Sequence, residues 1–319
     1  MMMEDWLIAR RDAKRKGEWL EMPLPFALRR EPPRHAHDAR RLLLDASGLP
    51  AKWINRLFSI GGIMTAEGVI RLHAFPDVDL KTHPLYRLAS RPAAAETPQV
   101  LYEDDYCLVL NKPVGMAVHP AVPGESGTLD EAALRHLLES GQRASARHVH
   151  RLDQDTSGPV LYAKNDLAQW QLDEALRRKS MGREYLAVAS GRLRQERGTI
   201  DWPIGRDRHH ASRRRVTAGG EPAVTHYEVI GRTRSATLVK LRLETGRTHQ
   251  IRVHMSHLGH PLLGDRLYGG SGALLSHQAL HGERLCFDHP LTMEAVTVVS
   301  DRPEWLLDLW SALVGGRKS

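Results

Sequence analysis

The chain has 319 residues, 41% of them hydrophobic, with a formal net charge of +7 and an isoelectric point near 9.6. That is enough chain for two domains with real cores, and with no apolar run of bilayer length and no uninterrupted apolar segment at the N-terminus, a cytoplasmic protein away from membranes is expected. Two cysteines, Cys107 and Cys286, lie far apart among apolar residues, which argues against a disulfide framework or a cysteine-based zinc site, while the positive surface favours a polyanionic partner such as nucleic acid.

Residues 1–37 carry Arg10, Arg11, Lys14, Arg15, Lys16, Arg29, Arg30 and Arg34, broken by prolines at 23, 25, 32 and 33. That density of charge and proline predicts an extended basic arm or a loosely docked strand. Residues 38–95 read as a small module. Its first helix starts at Asp38 and ends near Gly48-Leu49-Pro50; a second runs from Lys52, with Ile54, Leu57 and Phe58 on one face, to Gly61-Gly62. A short strand over 68–72 and a proline–alanine linker, Arg91 to Ala95, complete it.

From residue 96 to the end the pattern is that of a larger α+β domain. Val100-Leu101-Tyr102 and Tyr106 to Leu110 flank an acidic turn, as a hairpin whose second strand is buried on both faces. Asn111 to Pro120 leaves regular structure, and Lys112 there is either a phosphate contact or a solvated loop residue. Residues 128–140 form an amphipathic helix with Thr128 as N-cap and Glu131 completing a capping box.

Next comes His150-Arg151-Leu152-Asp153-Gln154-Asp155-Thr156-Ser157-Gly158, followed by the apolar run Pro159 to Ala163. In extended backbone Arg151 and Asp153 point one way and Leu152 the other, with turn chemistry at Thr156 to Gly158 before a buried strand. His150 and Thr156 are expected to hold the loop.

Asp166 then caps a helix ending in Arg177-Arg178-Lys179, where cations suit the helix dipole. A strand spans Arg183 to Ala189. Gly205 to Glu221 is a glycine- and arginine-rich loop before a strand over Thr225 to Ile230, and Ala236 to Leu243 alternates as a half-exposed strand. A second polar centre covers Gly246 to Pro261. Thr248 reads as N-cap of a helix with Ile251, Met255 and Leu258 on its core face, Gly259 as its stop, and His249, Arg252 and Ser256 along one stripe.

Three chemistries compete for these centres. His148, His150, His249, His254, His257, His260 and Asp265 are ligand types for a metal-dependent phosphoesterase. However, His254, His257 and His260 advance around a helix and past its glycine stop, and no compact ligand pattern such as HExxH occurs. A non-catalytic RNA-binding protein accounts for the charge and leaves the polar centres unexplained. No GxSxG elbow surrounds any serine, which argues against a serine hydrolase.

HRLDQDTSG followed by PVLYAKN is similar to the central motif of the RluA family of pseudouridine synthases. LYEDDYCLVLNKPVGMAVHP before it agrees, as do KSMGREYLAVASGRL, DWPIGRD, GEPAVTHYEVI, LETGRTHQIRVHMSHLGHPLLGDRLYG and LHGERLCFDHPLT after it, in family order from about residue 99 to 305. The resemblance implies an isomerase that converts specific uridines of ribosomal or transfer RNA to pseudouridine, as a monomer, with no cofactor and no metal. It implies a curved, largely antiparallel sheet in a mixed α/β catalytic domain.

By the same resemblance Asp153 is the essential carboxylate, Tyr185 packs on the target base and Arg252 pairs with the carboxylate. Arg151 helps to expel the nucleotide from the stack, a step that chemistry on a base inside a helix requires, and Lys112 and Arg247 lie in family motifs on the RNA side. The module over 38–95 resembles the ribosomal-protein-type RNA-binding domain that often precedes such enzymes, although Lys52 and Arg56 alone make its second helix basic.

Overall fold

The computed structural model describes residues 3–92 and 97–315. Ala93 to Ala95 of the expected linker lie outside the described residues, as do the chain's extreme ends.

The N-terminal part is folded from Met3 onward. Helix α1 (Met3–Arg11) leads into β1 (Lys14–Lys16) and β2 (Trp19–Pro23); after α2 (Ala36–Ala46) and α3 (Ala51–Ser59) come β3 (Ile63–Ala66) and β4 (Val69–Leu72). The four strands form one antiparallel sheet ordered β1-β2-β4-β3. This corrects the expectation of an extended arm: Trp6, Leu20 and Met22 are buried in the same apolar cluster as Trp53, Ile54 and Leu57. The physical reason is the period-two burial of Trp19 to Pro23, which an average over a charge-rich stretch conceals.

After the short helix α4 (Tyr86–Ala89), a second four-stranded sheet is made by β5 (Val100–Glu103), β6 (Cys107–Lys112), β7 (Arg147–His148) and β8 (Gly158–Ala163), ordered β5-β6-β8-β7. As the continuous apolar runs predicted, β6 and β8 are buried on both faces. Helices α5 (Leu129–Glu139) and α6 (Asp166–Arg177) belong to this half. Thr128 caps α5 by accepting the Glu131 N–H at 3.3 Å, but the Glu131 carboxylate takes the N–H of Gly127, so the reciprocal bond of the box is displaced by one residue. Likewise α6 is capped by Asn165, which accepts from the Ala168 N–H at 2.9 Å, and Asp166 is left free to pair with Arg56 and Arg147.

The remaining strands are β9 (Gly182–Ser190), β10 (Arg197–Asp201), β11 (Ile204–Arg206), β12 (Arg214–Val216), β13 (Val224–Arg232), β14 (Ala236–Leu243), β15 (Leu280–Asp288) and β16 (Ala295–Val299), with helices α7 (Gln250–His257) and α8 (Glu304–Gly315). Six of them make an antiparallel sheet ordered β10-β13-β14-β9-β15-β16, and β11 and β12 form a separate hairpin. The molecule is therefore mixed α+β and largely antiparallel. Strand β14 is covered on both faces over Ala236 to Val239, because Leu306 and Leu309 of α8 pack with Ala236 and Leu238 while Val239 and Leu241 face the opposite cluster; beyond that it is half-exposed as expected, with Lys240 half-buried and Arg242 exposed. Among the described residues no helix is long and apolar enough to cross a membrane.

The six-stranded sheet and the sheet ordered β5-β6-β8-β7 join where β8 begins. Ser157 bridges to His281 of β15, the Gly282 N–H donates to the Ser157 carbonyl at 2.7 Å, and Ser157 Oγ meets His281 Nδ1 at 2.9 Å. The loop that precedes this junction carries Asp153.

Candidate active site

A cleft of about 790 Å³ opens between the two sheets, lined by His119, Arg151, Asp153, Tyr185, Arg247 and Arg252 among others. Residues 150–153 are a loop, not a strand, yet Arg151 and Asp153 both line this cleft. Leu152 packs into the apolar clusters on either side.

The chain brings Asp153 and Arg252 together from positions 99 residues apart: Arg252 Nη1 donates to Asp153 Oδ2 at 2.9 Å. The other edge of the guanidinium is held by Asp265, with Nε donating to Oδ2 and Nη2 to Oδ1, both at 2.8 Å. Such a bidentate clasp fixes the plane of the arginine as well as its charge. Burial pulls the Arg252 guanidinium down, and its bonds to Asp265 and Asp153 more than reverse that, holding it above the usual arginine value. The Asp265 side chain is 1% exposed and that of Asp153 is 24% exposed, so one carboxylate is committed to the arginine and the other faces the cleft.

His249 sits beside this pair. It is the N-cap residue of α7, in left-handed backbone at φ 59°, where the sequence pointed to Thr248. The Arg252 guanidinium lies over the Tyr268 ring at 5.0 Å, and the Tyr268 hydroxyl accepts the Arg214 N–H at 2.9 Å. The same hydroxyl meets His249 Nδ1 at 2.9 Å, and His249 Nε2 lies 3.9 Å from Asp153 Oδ2. Burial lowers the His249 pKa below its ordinary value and Asp153 pulls the other way. Tyr185, on β9, is buried except for its edge in the cleft, and burial keeps its phenol above the ordinary value and uncharged.

Of the residues expected on the RNA side, Arg151 is exposed, with Nη1 3.2 Å from His119 Nε2. Arg247 lines the cleft while pairing with Glu221 and donating to the Pro222 carbonyl at 3.1 Å. Lys112 is a correction. Its ammonium is wholly buried and donates to the carbonyls of Pro113, Met116 and Gln154 at 2.9, 2.7 and 2.8 Å. Burial draws its pKa down to about 7 against the pull of Asp155 and Asp153, but three accepted N–H bonds require the charged form. It therefore ties the loop after β6 to the Asp153 loop and has no donor left for a phosphate.

The metal reading also fails on geometry. His148 pairs with Asp130, His254 with Thr225 and the Trp202 carbonyl, and His260 with the Ser190 carbonyl. Among the described residues no three His, Cys, Asp or Glu side chains converge on one point. Sequence reasoning placed Asp265 only in that metal set, placed His249 there and on the stripe of Arg252, and gave Tyr268 no role. The contiguity of Asp265 and Tyr268 in GDRLYG, just after the arginine helix, was the signal available.

A family model described as RNA pseudouridylate synthase matches residues 105–257. The chain is 50% identical over 206 residues to the uncharacterized RNA pseudouridine synthase YhcT of Bacillus subtilis, covering 64% of this chain and 68% of that protein. It is 43% identical over 231 residues to the ribosomal large subunit pseudouridine synthase D of Vibrio vulnificus, covering 67% and 70%. Among solved structures it is similar to human RNA pseudouridylate synthase domain containing 1, at 27% identity and a TM-score of 0.56, over 67% of this chain and 86% of that one.

Proposed function

Because the chain belongs to the RluA family of RNA pseudouridine synthases and is an isomerase acting on RNA, we propose that Asp153 is its essential carboxylate, acting on a uridine flipped into the cleft. The observation that carries this is the meeting of Asp153 and Arg252 at 2.9 Å in a cavity also lined by Tyr185. In pseudouridine formation the bond from the sugar to base nitrogen-1 breaks, the uracil turns, and a bond to its carbon-5 forms. The hydrogen of carbon-5 leaves to solvent and nitrogen-1 takes up a proton. A carboxylate oxygen at the anomeric centre serves this either as nucleophile or by accepting a proton from the sugar, and both roles need Asp153 aimed by a rigid partner. Arg252, clasped by the buried Asp265, is that partner.

Tyr185 supplies the ring against which the uracil turns, and Arg151 fills the gap that it leaves in the RNA, repaying part of the few kcal/mol that flipping costs. Arg247 grips the backbone. The hairpin of β11 and β12 adds a basic edge, with Arg213 over the Tyr268 ring at 5.6 Å. The substrate is ribosomal or transfer RNA; similarity to relatives named for the ribosomal large subunit supports the ribosomal choice. The enzyme works as a monomer in the cytoplasm.

The test is Asp153→Asn. Release of tritium from carbon-5-labelled uridine in RNA is expected to vanish, while the thermal midpoint and RNA affinity stay near those of the parent. Turnover retained in this variant would refute the assignment.

A further inference from the structure

Four arginines are buried among the described residues: Arg10, Arg135, Arg183 and Arg252. Three are fully engaged. Arg10 donates to three carbonyls, Arg135 pairs with Glu131, and Arg252 is held by Asp153 and Asp265. Arg183, on β9, is 9% exposed, and its Nε has no partner. Among the described residues no acceptor takes any of its N–H groups and no carboxylate is within ion-pair distance. A buried cation without a counter-charge costs several kcal/mol of stability, and folds retain one where a ligand supplies the charge.

The guanidinium lines the cleft and abuts Gly246, where a Cβ would come within 2.6 Å of Nη1. His150 is neutral, pulled down to about 3 by burial and then by the Arg183 charge itself. Lys179 and Arg247 on the same wall add positive potential, against Glu244, whose carboxylate pairs with His226.

We infer that Arg183 is a phosphate-binding residue, whose buried guanidinium is completed by a backbone phosphate of the RNA held in the cleft. Arg183 and Tyr185 alternate with Glu184 on one strand and so share a face, about 7 Å apart. That matches the reach from a nucleotide's base to its own phosphate, so a uracil on Tyr185 brings an anion to Arg183. A uracil carbonyl is a weaker alternative, since a neutral acceptor does not offset a buried charge.

This inference rests on the reading that the cleft receives RNA, and salt dependence separates the two. The measurement is kcat/KM for tritium release from an unmodified ribosomal RNA transcript labelled at uridine carbon-5, across a series of potassium chloride concentrations. For Arg183→Met and Arg183→Gln we expect kcat/KM about tenfold lower at low salt, and a log–log slope shallower than the parent's by about 0.7 to 0.9, the counterion release of one phosphate. Arg183→Lys should keep the parental slope. Thermal midpoints of the neutral variants should equal or exceed the parent's, since an unpaired buried charge has been removed. A loss of kcat/KM with unchanged slope would place the contact on the base and overturn the inference. So would failure of both neutral variants to fold, which would make the arginine part of the fold. If the parent protein itself releases no tritium from any cellular RNA, the functional reading falls, and this inference with it.

Discussion

His150 adjoins the reactive loop in sequence, and its imidazole accepts the Leu161 N–H through Nε2 at 3.3 Å while 6% exposed. Burial, then the charges of Arg183 and His148, draw its pKa down to about 3. In the unfolded chain a histidine titrates near 6.5. Between those values the unfolded state binds the extra proton, so the stabilisation from the neutral ring is complete above about pH 6.5 and is lost progressively on acidification. By pH 5 this one residue should have surrendered on the order of 2 kcal/mol. His150→Gln keeps an acceptor for Leu161 and removes the titration. Urea midpoints of the variant should therefore fall less steeply from pH 7 to 5 than those of the parent. His249, His254 and His281, each also lowered by burial, sustain the remaining acid limb. Equal slopes in both proteins would show that His150 does not remain neutral in the fold.

At the scale of elements, the position of Asp153 depends on how β8 crosses β15. Gly158 has φ 126°, and a Cβ there would lie 2.7 Å from the Cα and 2.8 Å from the nitrogen of Gly282, which is backbone that cannot step aside. Gly158→Ala combines that overlap with an unfavourable φ and should cost about 3 kcal/mol or more. Tritium release should fall further than the stability loss alone explains, because Ser157, Thr156 and the Asp153 loop hang from the same crossing. Full activity at the parental urea midpoint would show that the crossing does not set the site. The glycine and the buried run after it were legible in the sequence, because turn chemistry and apolar continuity are local signals. Strand β10 and helix α8 were not, since their burial is set by partners far along the chain, and neither were the hairpins β11–β12 and β15–β16. The cover over Leu238 on β14 was missed for that reason: alternation of Leu238, Lys240 and Arg242 cannot announce a helix from residues 304–315. The Asp153–Arg252 contact had no local signal either, and family motifs carried it.

The whole molecule behaves as one folding unit in its contacts, and Arg10 shows why the basic N-terminus is not an arm. Its guanidinium, 1% exposed, donates to the carbonyls of Leu291, Pro290 and Ser47 at 2.6, 3.1 and 3.4 Å. It thereby ties α1 and the turn after α2 to the β15–β16 connection. The apolar cluster is continuous across the same boundary, running from Trp6 and Trp53 to Tyr106, Leu161 and Phe287, and Phe75 meets Tyr106 edge-on at 5.3 Å. The second helix of the module spends its cations on this contact as well. Arg56 pairs with Asp166, and Lys52 lies over the Trp170 ring at 5.4 Å. Arg10→Met keeps much of the aliphatic bulk and strands three buried carbonyls, each worth about 1 kcal/mol or more. The variant should unfold in a single transition, lowered by on the order of 3 kcal/mol, whether followed by tryptophan fluorescence or by far-ultraviolet circular dichroism. Well below that midpoint it should release tritium at the parental rate, since Arg10 touches nothing in the cleft. Two separated transitions, with the later one at the parental midpoint, would instead mean that the N-terminal module melts alone and that the shared core does not couple the halves.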